Sequence, residues 1–468
     1  MNQLTFALYF ANRGFFPERL IAGAREDMIQ ALKQAGYGYI AMDPSATKNG
    51  AIETRDEGLQ YAKFLKENQG RYDGVILCLP NFGDENGAVP ACRDAGVPIL
   101  IQAYPDEIGK MDFDSRRDAF CGKLSIEDMF NQYGISYSVY PPHVVHPSSS
   151  EFQQNLKDFA ETCSIVKKLR RFTVGGIGAR TTAFKTVRYD ELTLQKYGIT
   201  FESHDLSELF ARIKDMKDTR DDVSERMHFL RSYTDFSQCP EDRFLTLAKM
   251  SVAIDDMRKA YHFDTLSIRC WDEMHQQLGI APCVLLSELN NRGIPASCEM
   301  DVANVITMTA LSAASHGPAA CVDWNNNYGN HPDKCILFHC GPIAQDLMAG
   351  KGTVGVHKMF AKGNDPDEGW GVNEGRIAPM DITLSSATTL DGKLYVYTDR
   401  GRITEDPIEK EFFGCGGVAE IPGLQKKLIQ MGRSGFRHHT TFARGIHTTA
   451  LDDAYRNYLK YEIVELSE

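Results

Sequence analysis

The chain has no stretch approaching the ~18 continuous apolar residues that a membrane-crossing helix needs, so no membrane span is expected. It carries no basic tail or stripe. Lys and Arg number 51 against 63 Asp and Glu, a net charge of -12, which argues against nucleic acid or an anionic membrane as partner. An acidic surface of this kind serves solubility. There is no CxxC, and the 12 cysteines are scattered. Reduced thiols are therefore expected, and neither a disulfide framework nor a thiolate-rich zinc site. The opening MNQLTFALYFANRGFF lacks a basic segment followed by a signal-length apolar run, so a cytoplasmic protein is expected.

What is present suits a folded protein of several domains. The chain has 468 residues, too many for one ordinary core, and is 43% hydrophobic. Strand-like runs alternate with helical spacing from the start. LTFALYF at 4–10 precedes a helix over 18–35, with Pro17 suited to its first turn. Further strands at 39–42, 74–79 and 98–103 are separated by helices at 56–68 and 85–95. Such alternation predicts a parallel sheet with helices on both faces, flavodoxin-like, over residues 1–147. Ligands of these sheets lie beyond the carboxyl ends of the strands, where Arg13 sits. The Pro- and Ser-rich run from Tyr140 to Ser150 reads as a linker.

A second doubly wound unit is expected over 148–262, with strands at 171–174 and 199–203. Its first turn, Gly175-Gly176-Ile177-Gly178-Ala179-Arg180, resembles a phosphate-cradling loop, but lacks the third fingerprint glycine and an immediate helix. A tight turn is the favoured reading. The remainder, 263–468, holds the chemistry. Glu299 precedes a helix over 301–315 and would gain from its dipole. Asp323 ends the apolar run Ala319–Val322, and His339 ends Cys335–Phe338. His438-His439 supplies further imidazoles a hundred residues on. Two acids and two or more histidines at the edges of rigid elements suit a divalent cation such as Mn²⁺, with Mg²⁺ or Co²⁺ as substitutes.

Several of these stretches together resemble the L-fucose/L-arabinose isomerase family. They are Cys121-Gly122-Lys123-Leu124-Ser125-Ile126, Ile177 to Phe184, Arg269-Cys270-Trp271, Gly279-Ile280-Ala281-Pro282-Cys283, Cys298-Glu299, Val322-Asp323-Trp324 and His438-His439-Thr440. The resemblance implies a Mn²⁺-dependent aldose–ketose isomerase with two α/β domains and a C-terminal domain containing a small antiparallel β-barrel. Residues 370–404 fit that barrel, with strands at Ile377–Leu384 and Lys393–Tyr397 joined at Asp391-Gly392. By the same resemblance Glu299 and Asp323 are metal-binding carboxylates that also handle the proton. His439 is a metal ligand, His438 contacts substrate, and Arg13 reaches a sugar in a neighbouring subunit of a homo-hexamer or trimer. His339 falls where the arabinose branch has an additional metal histidine, whereas Asp at 323 follows the fucose branch.

The chemistry of such a site is proton transfer through a cis-enediol. A metal on O1 and O2 acidifies the C2 proton, one carboxylate removes it and an acid returns it at C1. Glu299 is the expected carrier and Asp323 its partner, with the reverse assignment open. Trp271 and Trp324 are candidates to wall the sugar. Arg180, Lys185 and Arg188 are candidates to face an anionic one. Two other readings stay open: a sugar-binding or regulatory protein without turnover, and a NAD-dependent oxidoreductase using Gly176 and Gly178.

Overall fold

The computed structural model describes residues 3–359 and 369–467. Its contacts divide the chain into two compact units, Met1–Lys167 with Asp452–Leu459, and Lys168–Leu451 with Lys460–Glu468.

The first unit is built on β1 (Thr5–Phe10), β2 (Gly38–Ala41), β3 (Gly74–Leu79) and β4 (Ile99–Ala103). All pairings are parallel, in the order β2-β1-β3-β4. The central β3 is buried at every residue, as a strand covered on both faces must be. Helices Arg19–Ala35 and Ser150–Leu169 supply one core, in which Ile21, Met28, Phe152 and Phe159 meet Phe6, Leu8 and Phe10. Helices Arg55–Glu67, Glu85–Cys92 and Ala119–Tyr133 supply the other. The helix at Arg55 starts on a capping box, with Thr54 and Glu57 exchanging side-chain and backbone bonds. The predicted linker is in part packed: Tyr140 and Val145 are buried in the first of these cores. The Ser138, Tyr140 and Thr162 hydroxyls all donate to Asp453 Oδ2, at 2.6, 2.7 and 3.2 Å, which anchors the 452–459 segment to this unit.

Gly122 lets its helix pass close to a neighbouring backbone. A Cβ there would sit 2.0 Å from the Phe82 carbonyl oxygen, far inside contact distance. Gly122→Ala is expected to destabilise the first unit by about 1–3 kcal/mol through overpacking against rigid backbone, read as a lower midpoint in urea.

The second unit opens on another parallel sheet, β6-β5-β7-β8, formed by β5 (Phe172–Ile177), β6 (Ile199–His204), β7 (Thr265–Ile268) and β8 (Ala296–Cys298). The glycines at 175 and 176 lie within β5. A Cβ on Gly175 would meet the Phe263 ring at 2.2 Å, and one on Gly176 the Phe201 ring at 2.2 Å. They make room for aromatic packing rather than form the turn that the sequence suggests. Gly178, with φ +91°, makes the turn out of the strand, and the next α-helix begins only at Glu191.

Nine further strands form one large mixed sheet. They are β9 (Ala319–Asn327), β10 (Lys334–His339), β11 (Thr353–Val356), β12 (Trp370–Arg376), β13 (Met380–Leu390), β14 (Lys393–Ile403), β15 (Cys415–Glu420), β16 (His439–Arg444) and β17 (Glu462–Ile463). The order is β11-β12-β15-β10-β9-β16-β13-β14-β17. β14 also pairs with β15, through Arg402↔Glu420 and Ile403↔Ala419, so the path of pairings returns on itself after six strands. β13 and β14 form the expected hairpin. Its two-residue turn, Asp391 (φ 49°) and Gly392 (φ 72°), has the positive φ values of a tight hairpin turn.

Candidate metal and sugar site

Three neighbouring strands and the end of a fourth bring the site together. β9 lies between β10 and β16. Register sets His439 directly opposite Asp323 on one side and Phe338, just before His339, on the other. Asp323 is therefore held within β9, which runs on to Asn327, rather than at its end. Glu299 follows the last residue of β8 and precedes the helix Val302–Ser315, whose N-cap is Asp301. An oxygen of Asp323 and one nitrogen each of His339 and His439 lie within 4.8 Å of one another. His439 Nε2 is 3.2 Å from Asp323 Oδ1 and 3.9 Å from Glu299 Oε2.

The direction of His439 is set from behind. Its Nδ1 is 2.8 Å from Asp301 Oδ2. An Nδ1–H donating there leaves the Nε2 lone pair facing the two acids, which is how a carboxylate prepares an imidazole to be a ligand. Asp301 is fully buried, ion-paired with Arg437, and bonded by the Asn304 amide Nδ2 at 2.8 Å. Burial alone would raise its pKa, but Arg437 and His439 hold it well below the usual carboxylate range. Burial disfavours the charged form of His439, yet the bond to Asp301 and the nearby carboxylates raise its pKa.

The two acids differ in surroundings. Glu299 Oε1 accepts from Trp271 Nε1 at 3.0 Å. Burial is the largest influence on Glu299 and pushes it up to about 6. Glu299 Oε2 and Asp323 Oδ1 are buried with no hydrogen-bond partner. Unsatisfied buried carboxylate oxygens are costly, and a cation held among Glu299, Asp323, His439 and His339 would satisfy both. Carboxylates with imidazoles form the donor set of Mn²⁺ and similar divalent ions, so the residues present fit such a group.

His438 is partly exposed, with Nε2 3.7 Å from Asp323 Oδ1. Phe184 packs edge-on to Trp271 at 4.7 Å and lies beside the rings of His438 and His439, which puts the loop bearing Arg180, Lys185 and Arg188 at the same place. Trp324 does not join the group. Successive strand side chains point to opposite faces, so the neighbour of Asp323 packs instead toward Tyr397, Met431 and Phe436. Arg13 belongs to the first unit, where its guanidinium lies 4.1 Å over Phe82, donates to the Gly83 carbonyl at 2.8 Å and pairs with Glu85.

Sequence reasoning missed Asp301, Arg437 and Phe184 as site residues. Asp301 was legible only as a helix start, and Arg437 only as the residue before His438-His439. It also missed a group of thiols behind His339. Cys283 and Cys340 are 3.4 Å apart, sulfur to sulfur, and His339 lies 3.2 Å from the Cys340 sulfur through Nδ1 and 3.7 Å from that of Cys298 through Nε2.

The fold and this pocket define an α/β protein with a buried carboxylate–imidazole site. Residues 7–170 match the profile of the fucose/sulfoquinovose isomerase N-terminal domain. A sulfoquinovose isomerase of Alkalicoccus urumqiensis is 21% identical over 303 residues, covering 63% of this chain and 66% of that protein. One from Priestia aryabhattai is 24% identical over 305 residues, covering 64% and 66%. The matched stretch thus spans just under two thirds of the relatives' own length. A solved periplasmic solute-binding protein from Actinobacillus succinogenes with bound D-allose covers 67% of this chain and 93% of its own at 12% identity, with a TM-score of 0.18. Over these stretches the chain is similar to fucose and sulfoquinovose isomerases.

Proposed function

We propose that this protein interconverts an aldose and its ketose, using a divalent cation held by Glu299, Asp323, His439 and His339. The observation that carries this reading is the convergence of those four side chains, with two buried carboxylate oxygens among them that accept no hydrogen bond. The sulfoquinovose isomerases among its relatives support the reaction class. When bound, a divalent cation supplies Lewis-acid polarisation of the sugar oxygens next to the reacting carbons.

The protein's own residues do the rest. A carboxylate of Glu299 takes the proton from C2 and returns it at C1, while Asp323 faces it as the second acid–base group. Trp271 fixes Glu299 by donating to Oε1, so that Oε2 is the oxygen left for proton transfer. Asp301 keeps His439 turned toward the acids, and Phe184 with Trp271 gives the sugar an apolar wall. His438 is suited to contact a substrate hydroxyl. We read the six strands whose pairings return on themselves as support for the small barrel that the resemblance implies. The domains at 1–147, 148–262 and 263–468, and a homo-hexamer or trimer in which Arg13 reaches a neighbour's sugar, belong to the same proposal.

The substrate we favour carries a negative charge. Arg180, Lys185 and Arg188 flank Phe184 on one loop, and Phe184 touches His438 and His439. The test is a panel of neutral and sulfonated aldoses assayed with Mn²⁺ and again after chelation. Turnover of a sulfonated sugar that is lost on chelation and restored by Mn²⁺ is expected. Turnover that survives chelation would remove the cation from the proposal, and a preference for neutral sugars would remove the anionic substrate.

A further inference from the structure

The four cysteines near His339 are far apart in sequence and come from four structural junctions. Cys270 follows β7, Cys283 begins the helix Cys283–Asn291, Cys298 ends β8 and Cys340 follows β10. All four are buried, at 5% exposure or less, whereas Cys121 is exposed. Cys283 and Cys340 are in sulfur–sulfur contact at 3.4 Å. The Cys298 sulfur lies 3.7 Å from His339 Nε2. The sulfurs of Cys298 and Cys340 and one nitrogen of His339 lie within 4.8 Å of one another.

The spacing of Cys298, His339 and Cys340 suits three ligands of a soft-metal site. Tetrahedral thiolate coordination with bonds of about 2.3 Å sets its sulfurs about 3.8 Å apart, with imidazole nitrogens slightly nearer. Packing of unrelated thiols does not require a histidine in reach of two of them. Cys283, in sulfur contact with Cys340, is the nearest source of a fourth ligand.

We infer that Cys298, His339 and Cys340, with Cys283 beside Cys340 as the source of a fourth ligand, form a binding site for a thiophilic divalent cation such as Zn²⁺ or Cd²⁺, sharing His339 with the carboxylate pocket. Softness of the ligands divides the two places. Thiolates select zinc-group ions, while the carboxylates of Glu299 and Asp323 select Mn²⁺ or Mg²⁺. Because His339 serves both, filling the thiolate site withdraws one imidazole from the pocket. That last consequence rests on the isomerase reading, but the site itself does not.

The probe is Cd²⁺ alone, added to metal-stripped, fully reduced full-length protein carrying Cys121→Ser. Ultraviolet thiolate-to-cadmium charge transfer and native mass spectrometry read binding without any turnover. A band saturating at about one cadmium per chain is expected, lost in Cys340→Ser and in Cys298→Ser and retained in Asp323→Asn. Near-ultraviolet circular dichroism checks each fold, and either cysteine variant suffices if the other does not fold. A band that persists in the cysteine variants, or that disappears in Asp323→Asn, overturns the site, as does the absence of bound cadmium. A failed sugar panel with an intact cadmium band would sink the isomerase reading alone.

Discussion

Glu299→Gln and Asp323→Asn are each expected to lower kcat by about 10²–10⁴-fold, the usual contribution of a positioned general acid or base. Both substitutions keep shape and remove charge. The two side chains converge on His439 Nε2, at 3.9 and 3.2 Å, so each variant also weakens the hold on a cation. The two losses can be separated. Cation affinity, read by titration of Mn²⁺ against the thermal midpoint, should fall in both, because binding to the native state stabilises it by about 2.7 kcal/mol at a hundredfold excess over Kd. Exchange of the C2 proton with solvent, measured under saturating Mn²⁺, should fall most in Glu299→Gln. Equal exchange in that variant and the parent protein would remove Glu299 as the proton carrier. If Asp323→Asn alone lost exchange, the two roles would be reversed.

The second large effect is expected at Asp301, which lies behind His439. It is fully buried against Arg437 and His439, and Arg437 is 7% exposed. Asp301→Asn leaves the guanidinium buried without its partner, which costs about 3–5 kcal/mol. It also frees His439 to rotate or change tautomer, for an expected loss of about 10–100-fold in cation affinity. The double variant Asp301→Asn/Arg437→Met separates these effects. Stability should largely return because no charge is left unpaired, whereas cation affinity should stay low because His439 remains unoriented. Recovery of both would reduce Asp301 to a packing role.

The same carboxylate predicts a pH dependence. Its folded pKa is depressed below the unfolded value of about 3.9. Its contribution to stability is therefore present above pH ~4 and lost as pH falls toward the folded value. Urea midpoints measured across this range should drop more steeply on acidification in the parent protein than in Asp301→Asn. Identical slopes would show that Asp301 is not held ionised by its neighbours.

Much of the architecture was legible because its signals are local. The alternation of apolar strand and amphipathic helix over 4–103 marked the first parallel sheet nearly residue by residue, and Asp391-Gly392 marked the β13–β14 hairpin of the mixed sheet. Glycines were harder to read. Gly175 and Gly176 look like a phosphate turn in the sequence, and only the rings of Phe263 and Phe201 above them show that they are packing positions. Trp324 was a reasonable sugar wall beside Asp323, but strand alternation turns adjacent residues to opposite faces. The Pro-rich run at 140–150 carried linker composition, yet Tyr140 and Val145 are buried.

The sequence by itself determined which acids and histidines stand beside apolar runs, and so singled out Glu299, Asp323, His339 and His439. Only the tertiary structure decided what surrounds them. Strand order β10-β9-β16 brings His339 and His439, a hundred residues apart, to either side of Asp323. The same packing sets Asp301 and Arg437 behind His439 and gathers Cys283, Cys298 and Cys340 around His339. The absence of CxxC argued against such a group of thiols, since spacing along the chain reports only contacts made within one turn or hairpin. Contacts across β-pairings and between separate junctions depend on the register of distant strands, which no local pattern encodes.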